Sequence, residues 1–513
     1  MNCSEYLSKY LIKNNIKDVF SVTGGGSMFL NKAFHDNKKL KVTYFHHEQA
    51  AAFAAEGYWR SSGKIAAVCL TTGPGALNAI TGIFGSYVDS VPILVISGQS
   101  KIDTNINFQK KFLRQLGDQE ANISKIVSPF VKYISCPNSV KAFKKSIYKS
   151  FEILNTHRYG PVWLDVPIDI QSKNILDQSN PKYQSIEYIN KNNRSSVFKA
   201  NNKKIDKQIS VLVSKIFKSK RPLILLGTGV KSSNLKNEIL KISSKFNFPV
   251  VTGWNAHDLV PYEHKNYSGK PGTVGDRPGN FAVYNSDFIL ILGCRLNIRQ
   301  ISYNWNSFAP NAYQAMVDID SSEMEKKTLN LDLKIHTDLE SFIKIFKKKI
   351  RTKKKNKAHN SFLTFCKSLV IKYSYPVESI SNKNKLINPY KFFYEFSKKL
   401  SENELVVLGN GSACVIGFQS IRPKKNQKIF TNSGSAPMGY DISASIGASI
   451  SQKNQKKINC ITGDGSIMLN LQELATIKYL KTPIKIFILN NGGYLSIKQT
   501  QKNFFKKDSF GTG

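Results

Sequence analysis

The chain of 513 residues is 41% hydrophobic and carries a formal charge of +39, length enough for about three domains of ordinary size and a sizeable buried core. No apolar run approaches the ~18 residues that a membrane-crossing helix needs, and the opening MNCSEYLSKYLIKNNIKDVF reads as a polar-faced helix leading into a strand rather than a signal peptide. A soluble, cytoplasmic protein is expected.

The charge does not point to nucleic acid. The lysines are dispersed and come with abundant Asn and Ile, and the densest run, KKKIRTKKKNK at 347–357, falls where the apolar pattern lapses and reads as a solvated linker. A positive surface is expected instead to attract small anionic substrates. Seven cysteines, scattered and without any CxxC, indicate neither a disulfide framework nor a zinc site.

Short apolar strands alternate with helical stretches throughout, the pattern of parallel α/β domains. A first block, residues 1–175, holds DVFSV, KIAAVCLTT, PILVISG and GPVWLDVP; a second, 195–345, holds RPLILLGTG, FPVVTG, DFILILG and AMVDID. A basic linker region over 346–385 leads to a third block, 386–513, with ELVVLGNG, KIFTN, INCITGDG and IKIFILNN. The expected fold is α/β, three doubly wound parallel-sheet domains. The last is expected to be incomplete, because few residues follow Asn491 to finish its layers.

Many of these strands end in glycine-rich turns: VTGGGS, TTGPGA, LGTGV, GNGSA and GDGS. Ligands of open parallel sheets bind at such carboxyl ends. LGTGV is a weak dinucleotide fingerprint, since its third glycine position holds Ser232. In ITGDGSIMLN, Asp464 sits at a strand-to-helix turn, where the helical spacing of Met468, Leu469, Leu471, Leu474 and Ile477 begins. It reads either as a helix cap or as a carboxylate holding a divalent cation against a phosphate. The next strand ends in Asn490-Asn491-Gly492-Gly493, and a strand, a helix and a parallel strand bring two such turns side by side. Magnesium wants oxygens of this mixed kind.

GDGSIMLNLQELATIKYLKTPIKIFILNN resembles, through its whole length, the cofactor motif of thiamine diphosphate enzymes. The resemblance implies that Asp464, Asn491 and the carbonyl of Gly493 bind Mg2+. It also implies that Gly463, Gly465 and Ser466, with Gly411, Ser412 and Ala413 of GNGSA, hold the diphosphate. HHEQAAAFAAEGYWRSSG is similar to the segment carrying the family's activating glutamate, which places Glu48 against the aminopyrimidine ring. In SGSAPMGYDISASIGA, Met438 would wedge the cofactor into its bent form and the carbonyl of Ala436 would accept from its amino group.

Among these enzymes the chain looks most like acetolactate synthase large subunits: GPVWLDVPIDIQ, RQLGDQEANISKIVSPFVKY and DSVPILVISG have counterparts there. By that resemblance Gln119 is the active-site glutamine, and Gly25 and Gly26 border the reactive carbon. The implied reaction is decarboxylation of a 2-oxo acid such as pyruvate with ligation to a second carbonyl, in a homodimer or dimer of dimers with shared sites. No nucleic acid or membrane partner is expected. Three positions depart from the pattern: Asp118 stands where a phenylalanine is usual, Ile168 where a lysine is usual, and Thr500 where a tryptophan shapes acceptor choice. A carboligase specialised for a sugar or other acceptor, a simple 2-oxo acid decarboxylase and an inactive scaffold paralogue are the alternatives. So is a dehydrogenase built on LGTGV, although that turn lacks a full fingerprint. The central domain resembles the FAD-holding region of acetolactate synthases, but around Asn297 and Arg299 it departs from the flavin pattern. Either FAD is a third cofactor, or the domain has kept the fold without it.

Overall fold

A computed structural model describes residues 1–109, 113–190, 202–374, 386–506 and 509–513. The chain folds as two compact units, one made of residues 1–195, 405–410 and 431–513, the other of 196–404 and 411–430.

The first unit opens with a seven-stranded sheet. Its strands are β1 (Asp18–Ser21), β2 (Lys41–Tyr44), β3 (Ala67–Leu70), β4 (Leu94–Gln99), β5 (Tyr133–Cys136), β6 (Val162–Pro167) and β7 (Ile186–Ile189), in the order β2-β1-β3-β4-β6-β5-β7. Every pairing is parallel except that of β7, which runs antiparallel to β5 along the edge. Burial on both faces explains the unbroken apolar runs. Val19, Cys69 and Ile96 enter one core, and their neighbours Phe20, Val68 and Val95 enter the other.

The second unit carries a five-stranded parallel sheet built from β8 (Pro222–Leu226), β9 (Val250–Thr252), β10 (Phe288–Leu292), β11 (Tyr313–Asp318) and β12 (Leu333–His336), in the order β12-β11-β10-β8-β9. Alternate residues again divide between two cores, with Ile224 and Leu226 in one and Leu223 and Leu225 in the other. The region 346–385, expected to be a solvated linker, contains the helix Lys357–Lys372, which buries His359, Phe362, Leu363, Cys366, Leu369 and Val370. Helical spacing of these residues outweighs the surrounding lysines, and among the described residues of the region the longest continuously exposed stretch is 351–355. Residues 375–385 of that region lie outside the described residues.

β13 (Leu405–Leu408) belongs to the first unit and β14 (Lys428–Phe430) to the second, after which the first resumes at residue 431. β15 (Ile458–Gly463) pairs in parallel with β13 on one side and with β16 (Ile484–Leu489) on the other. Helix Tyr440–Ser451 lies against helix Glu48–Ser62 so closely that a Cβ on Gly57 would strike the backbone at Ala444, and one on Gly447 the backbone at Ala54. Beside this contact Arg60 is held by Glu56 and Asp89, each at 2.7 Å, and all three side chains are buried. Asn432 donates to Glu56 at 2.8 Å and the Ser433 amide to Asp89 at 2.9 Å. The network therefore anchors the segment that leads to Ala436 and Met438. Among the described residues, no helix is long and apolar enough to cross a membrane. The seven cysteines are all free.

Candidate functional site

Glu48 is the first residue of its helix, placed there by His47, which caps the helix by accepting from the Gln49 amide. The carboxyl is buried and accepts from Asn78 Nδ2 at 3.0 Å; Asn78 ends the helix Pro74–Asn78 that follows the TTGPG turn. That turn gathers most of the other residues expected in this half. A Cβ on Gly75 would come within 3.2 Å of Glu48 Oε1, and one on Gly73 would meet the carbonyl of Gln119. Thr71 Oγ1 accepts from the Gly26 amide at 3.2 Å. Gly26 is hemmed in by Thr72, whereas Gly25 faces open space. Glu48, Gly26 and Gln119 thus converge on residues 71–75, and Gly25 stands beside Gly26 in open space.

Gln119 lies exposed on a loop at φ +53°, a left-handed conformation that costs a non-glycine residue free energy. What holds it there is the next residue. Glu120 is buried and accepts from the amides of Ile106 at 2.5 Å, Leu116 at 3.1 Å and Gly117 at 2.9 Å, drawing both arms of the loop around one carboxylate. A second network stands beneath it. Gln99 donates to the Ala121 carbonyl at 3.2 Å and to Asp165 at 3.0 Å; Ser97 donates to Asp165 at 2.6 Å and accepts from the Trp163 indole at 2.7 Å. Burial pushes the Asp165 carboxyl up to about 7, against the lowering effect of those two donors.

In the other half, Asp464 begins a short helix directly after β15. Its Oδ2 accepts from the amides of Gly492 and Gly493 at 3.0 and 2.9 Å, and its Oδ1 from Gly465 at 3.0 Å. The two turns expected to be neighbours are therefore joined through this carboxylate. Gly492 and Gly493 have φ +75° and +94°, values that favour glycine. Between the strand end and these glycines, Asn491 Oδ1 is buried without a hydrogen-bond partner. A buried acceptor of this kind is costly unless something electropositive meets it. A hard divalent cation beside Asp464 would do so, and the residues present fit one. The Gly493 carbonyl meanwhile accepts from the Leu495 amide at 3.0 Å.

Gly465 lies against the Tyr494 ring, which leaves no room for a side chain. Ser466 Oγ donates to Asp441 at 2.9 Å and accepts from the Gly439 amide at 3.1 Å, so its hydroxyl is engaged inside the domain. Asp441 is buried, and burial raises its pKa. Asn410 Nδ2 donates to the Ala436 carbonyl at 3.0 Å; Ala436 has φ +51°, and Met438 is half-buried two residues on. In the second unit, Gly411 takes φ +61° ahead of the helix Ser412–Ser420, which buries Ala413 in its first turn. The helix expected after Asp464 is broken into Asp464–Ile467, a 3-10 turn Met468–Asn470 and Glu473–Leu480. Met468, Leu469, Leu471 and Leu474, whose helical spacing marked that helix, are exposed.

Several residues of these networks escape sequence reasoning: Asn78, Glu120, Asp165, Asp441 and Asn470, the last donating to Gln49 at 3.1 Å and to the Gly439 carbonyl at 2.9 Å. The signal available for Glu120 was its place beside Gln119 in GDQEA, and for Asp441 its place after Met438 in MGYD.

Comparison with known proteins gives three family matches. Residues 1–121 match the N-terminal TPP binding domain of thiamine pyrophosphate enzymes, 209–345 their central domain, and 409–513 their C-terminal TPP binding domain. The acetolactate synthase large subunit of Buchnera aphidicola subsp. Schizaphis graminum is 30% identical over 97% of this chain and 83% of its own length. The large subunit of Lactococcus lactis subsp. lactis is 28% identical, over 98% and 83%. A probable acetolactate synthase large subunit of Methanococcus aeolicus is 29% identical, over 99% and 83%.

Proposed function

Because the chain belongs to the thiamine diphosphate-dependent, acetolactate synthase-like enzymes, we propose that it decarboxylates a 2-oxo acid such as pyruvate, with Mg2+, and joins the acyl unit to a second carbonyl. The observation that carries this reading is the pair of turns at Asp464 and Asn491: a fixed carboxylate next to a buried amide oxygen that has no partner. Asp464, Asn491 and the Gly493 carbonyl would hold Mg2+, and the glycine turn at Gly463–Gly465 would approach the diphosphate closely.

Thiamine diphosphate, when bound, supplies the carbon nucleophile for this chemistry. Glu48, buried and oriented by Asn78, holds or passes a proton at its Oε atoms. Met438 supports the cofactor rings, and the Ala436 carbonyl accepts from the amino group. Gln119, on its clamped loop, faces the substrate with Gly25 and Gly26. In this reading the active unit is a homodimer or dimer of dimers with shared sites.

A specialised acceptor is the second reading. Asp118 and Thr500, at positions where relatives of this type carry aromatic residues, are both exposed and polar, which suits a hydrophilic acceptor such as a sugar. For FAD the support is weaker. Asn297 accepts from the Gln300 amide and Arg299 stacks over Trp254, 5.3 Å from its centroid, so both residues already have structural roles. The central domain reads as one that has kept the fold without the flavin, and the visible absorbance of the purified protein tests this. For the reaction, the test is incubation with thiamine diphosphate, Mg2+, pyruvate and a panel of acceptors, following carbon dioxide and products by mass spectrometry. Release of carbon dioxide with a ligated product supports the proposal, and an absence of turnover across the panel refutes it.

A further inference from the structure

A small cavity of about 40 Å³ lies in the second unit, and none of the residues proposed above to hold cofactor or substrate lines it. Its lining combines cations, hydroxyls and little counter-charge. Lys270 is 2% exposed. Its ammonium donates to the carbonyls of Gln419 and Ile421 at 3.0 and 3.1 Å, which leaves one of its three N–H donors unused. Arg422 stacks between Tyr262 and Tyr394, 4.6 and 4.7 Å from their centroids. Among the described residues its guanidinium makes neither an ion pair nor a side-chain hydrogen bond. Asp276 is the acid of the lining, and its Oδ1 already accepts from the amides of Lys270 and Gly279, both at 2.8 Å. Ser420 Oγ, on a residue 7% exposed, is buried with no partner.

We propose that this cavity is a binding site for a small oxyanion the size of phosphate, held by Lys270, Arg422 and Ser420. Two positive side chains converge where the one carboxylate is engaged by backbone donors, so the balance of charge favours an anion. The unused donors are of the kind a tetrahedral oxyanion takes: an ammonium, a guanidinium fork and a hydroxyl. Size decides against anything larger. The space corresponds to about three waters, whereas sites for cofactors and drug-sized ligands run to ~300–1,000 Å³. Burial lowers the Lys270 ammonium to about 8, against the raising effect of Asp276; an anion in contact would restore its charge.

The test is a titration of the holoprotein, with thiamine diphosphate and Mg2+ saturating, against inorganic phosphate at constant ionic strength made up with chloride. A saturable rise in Tm with phosphate that chloride does not reproduce is expected. Arg422→Gln and Ser420→Ala should each shift the midpoint to at least about tenfold higher phosphate, as loss of a charge-assisted hydrogen bond implies. Arg422 is only half-buried, so its substitution leaves the fold testable, and the Tm in chloride alone verifies this. The same titration of an Asp464→Ala chain separates this site from the proposed cofactor site, because its phosphate midpoint should match that of the unaltered chain. No response beyond that of chloride, or a midpoint that moves in Asp464→Ala and not in Arg422→Gln, overturns the proposal.

Discussion

Glu48 and Asn78 form a pair in which each residue has a distinct consequence. Glu48→Gln keeps the volume and the bond to Asn78 but removes the ionisable proton. Turnover should fall by ~10²–10⁴-fold, the range of general acid–base catalysis, with Tm nearly unchanged; activity near that of the unaltered chain would refute the role. At the other turn, Asp464→Ala removes an anion from the metal side of the diphosphate and leaves the Gly492 and Gly493 amides without their acceptor. Calorimetric titration should show cofactor affinity reduced by at least ~100-fold, above the ~10–100-fold typical of outer-sphere partners. Equal affinity would return Asp464 to a purely structural role. Asp165 is testable through pH. Its carboxyl is raised by burial from the ordinary 3.8 to about 7, so between those values the folded chain keeps a proton that the unfolded chain releases. The favourable contribution is full below about 4 and is lost as pH rises through about 7, with a slope approaching ~1.4 kcal/mol per unit. Asp165→Asn can still accept from Gln99 while donating to Ser97. Urea midpoints measured across this window should decline less steeply in the variant than in the unaltered chain, and parallel curves would count against the assignment.

Among the elements, the helix pair Glu48–Ser62 and Tyr440–Ser451 is the most sensitive to small changes. A glycine inside a helix normally costs up to ~1 kcal/mol relative to alanine, so Gly→Ala there ordinarily stabilises. At Gly57 and Gly447 the sign should reverse, because the added methyl meets backbone of the facing helix, which cannot rotate aside. Overpacking of this kind costs ~1–3 kcal/mol, and chemical denaturation of Gly447→Ala should show a net loss of that order. A gain would mean that the helices are further apart than described. The same elements show what sequence pattern can and cannot reveal. Strands such as Leu94–Gln99 and Phe288–Leu292 were legible because burial on both faces makes them continuous apolar runs. Lys41–Tyr44 and Ile186–Ile189 were not, because each lies at a sheet edge and stays half exposed, so polar residues interrupt it. Glu48, Asp464 and Asn491 were legible through neighbours in sequence that carry a motif. Asn78 and Asp165 act through partners that only the fold brings near, Glu120 closes its loop on the more distant Ile106 amide as well as on near neighbours, and the left-handed backbone of Gln119 has no marker in its side chain.

For the whole molecule, the proposed sharing of sites between subunits has a direct test. Glu48 and Asp464 have separate sets of hydrogen-bond partners within the chain. Mixing inactive Glu48→Gln and Asp464→Ala chains should recover part of the activity, since a hybrid dimer would contain one site with both residues intact. Subunits that demonstrably exchange and remain inactive would refute sharing. A different consequence attends the close contact of Gly57 with Ala444. Nearly four hundred residues separate these positions, and the first unit contains chain from before and after the bulk of the second. At ~5–20 residues per second of synthesis, the alanine-rich face of helix Glu48–Ser62 waits roughly 20–80 s for its partner helix to leave the ribosome. In that interval Ala50, Ala51 and Ala54, fully buried in the finished chain, have no cover from helix Tyr440–Ser451. The birth of this enzyme therefore includes an apolar nascent intermediate, the kind of surface on which chaperones act.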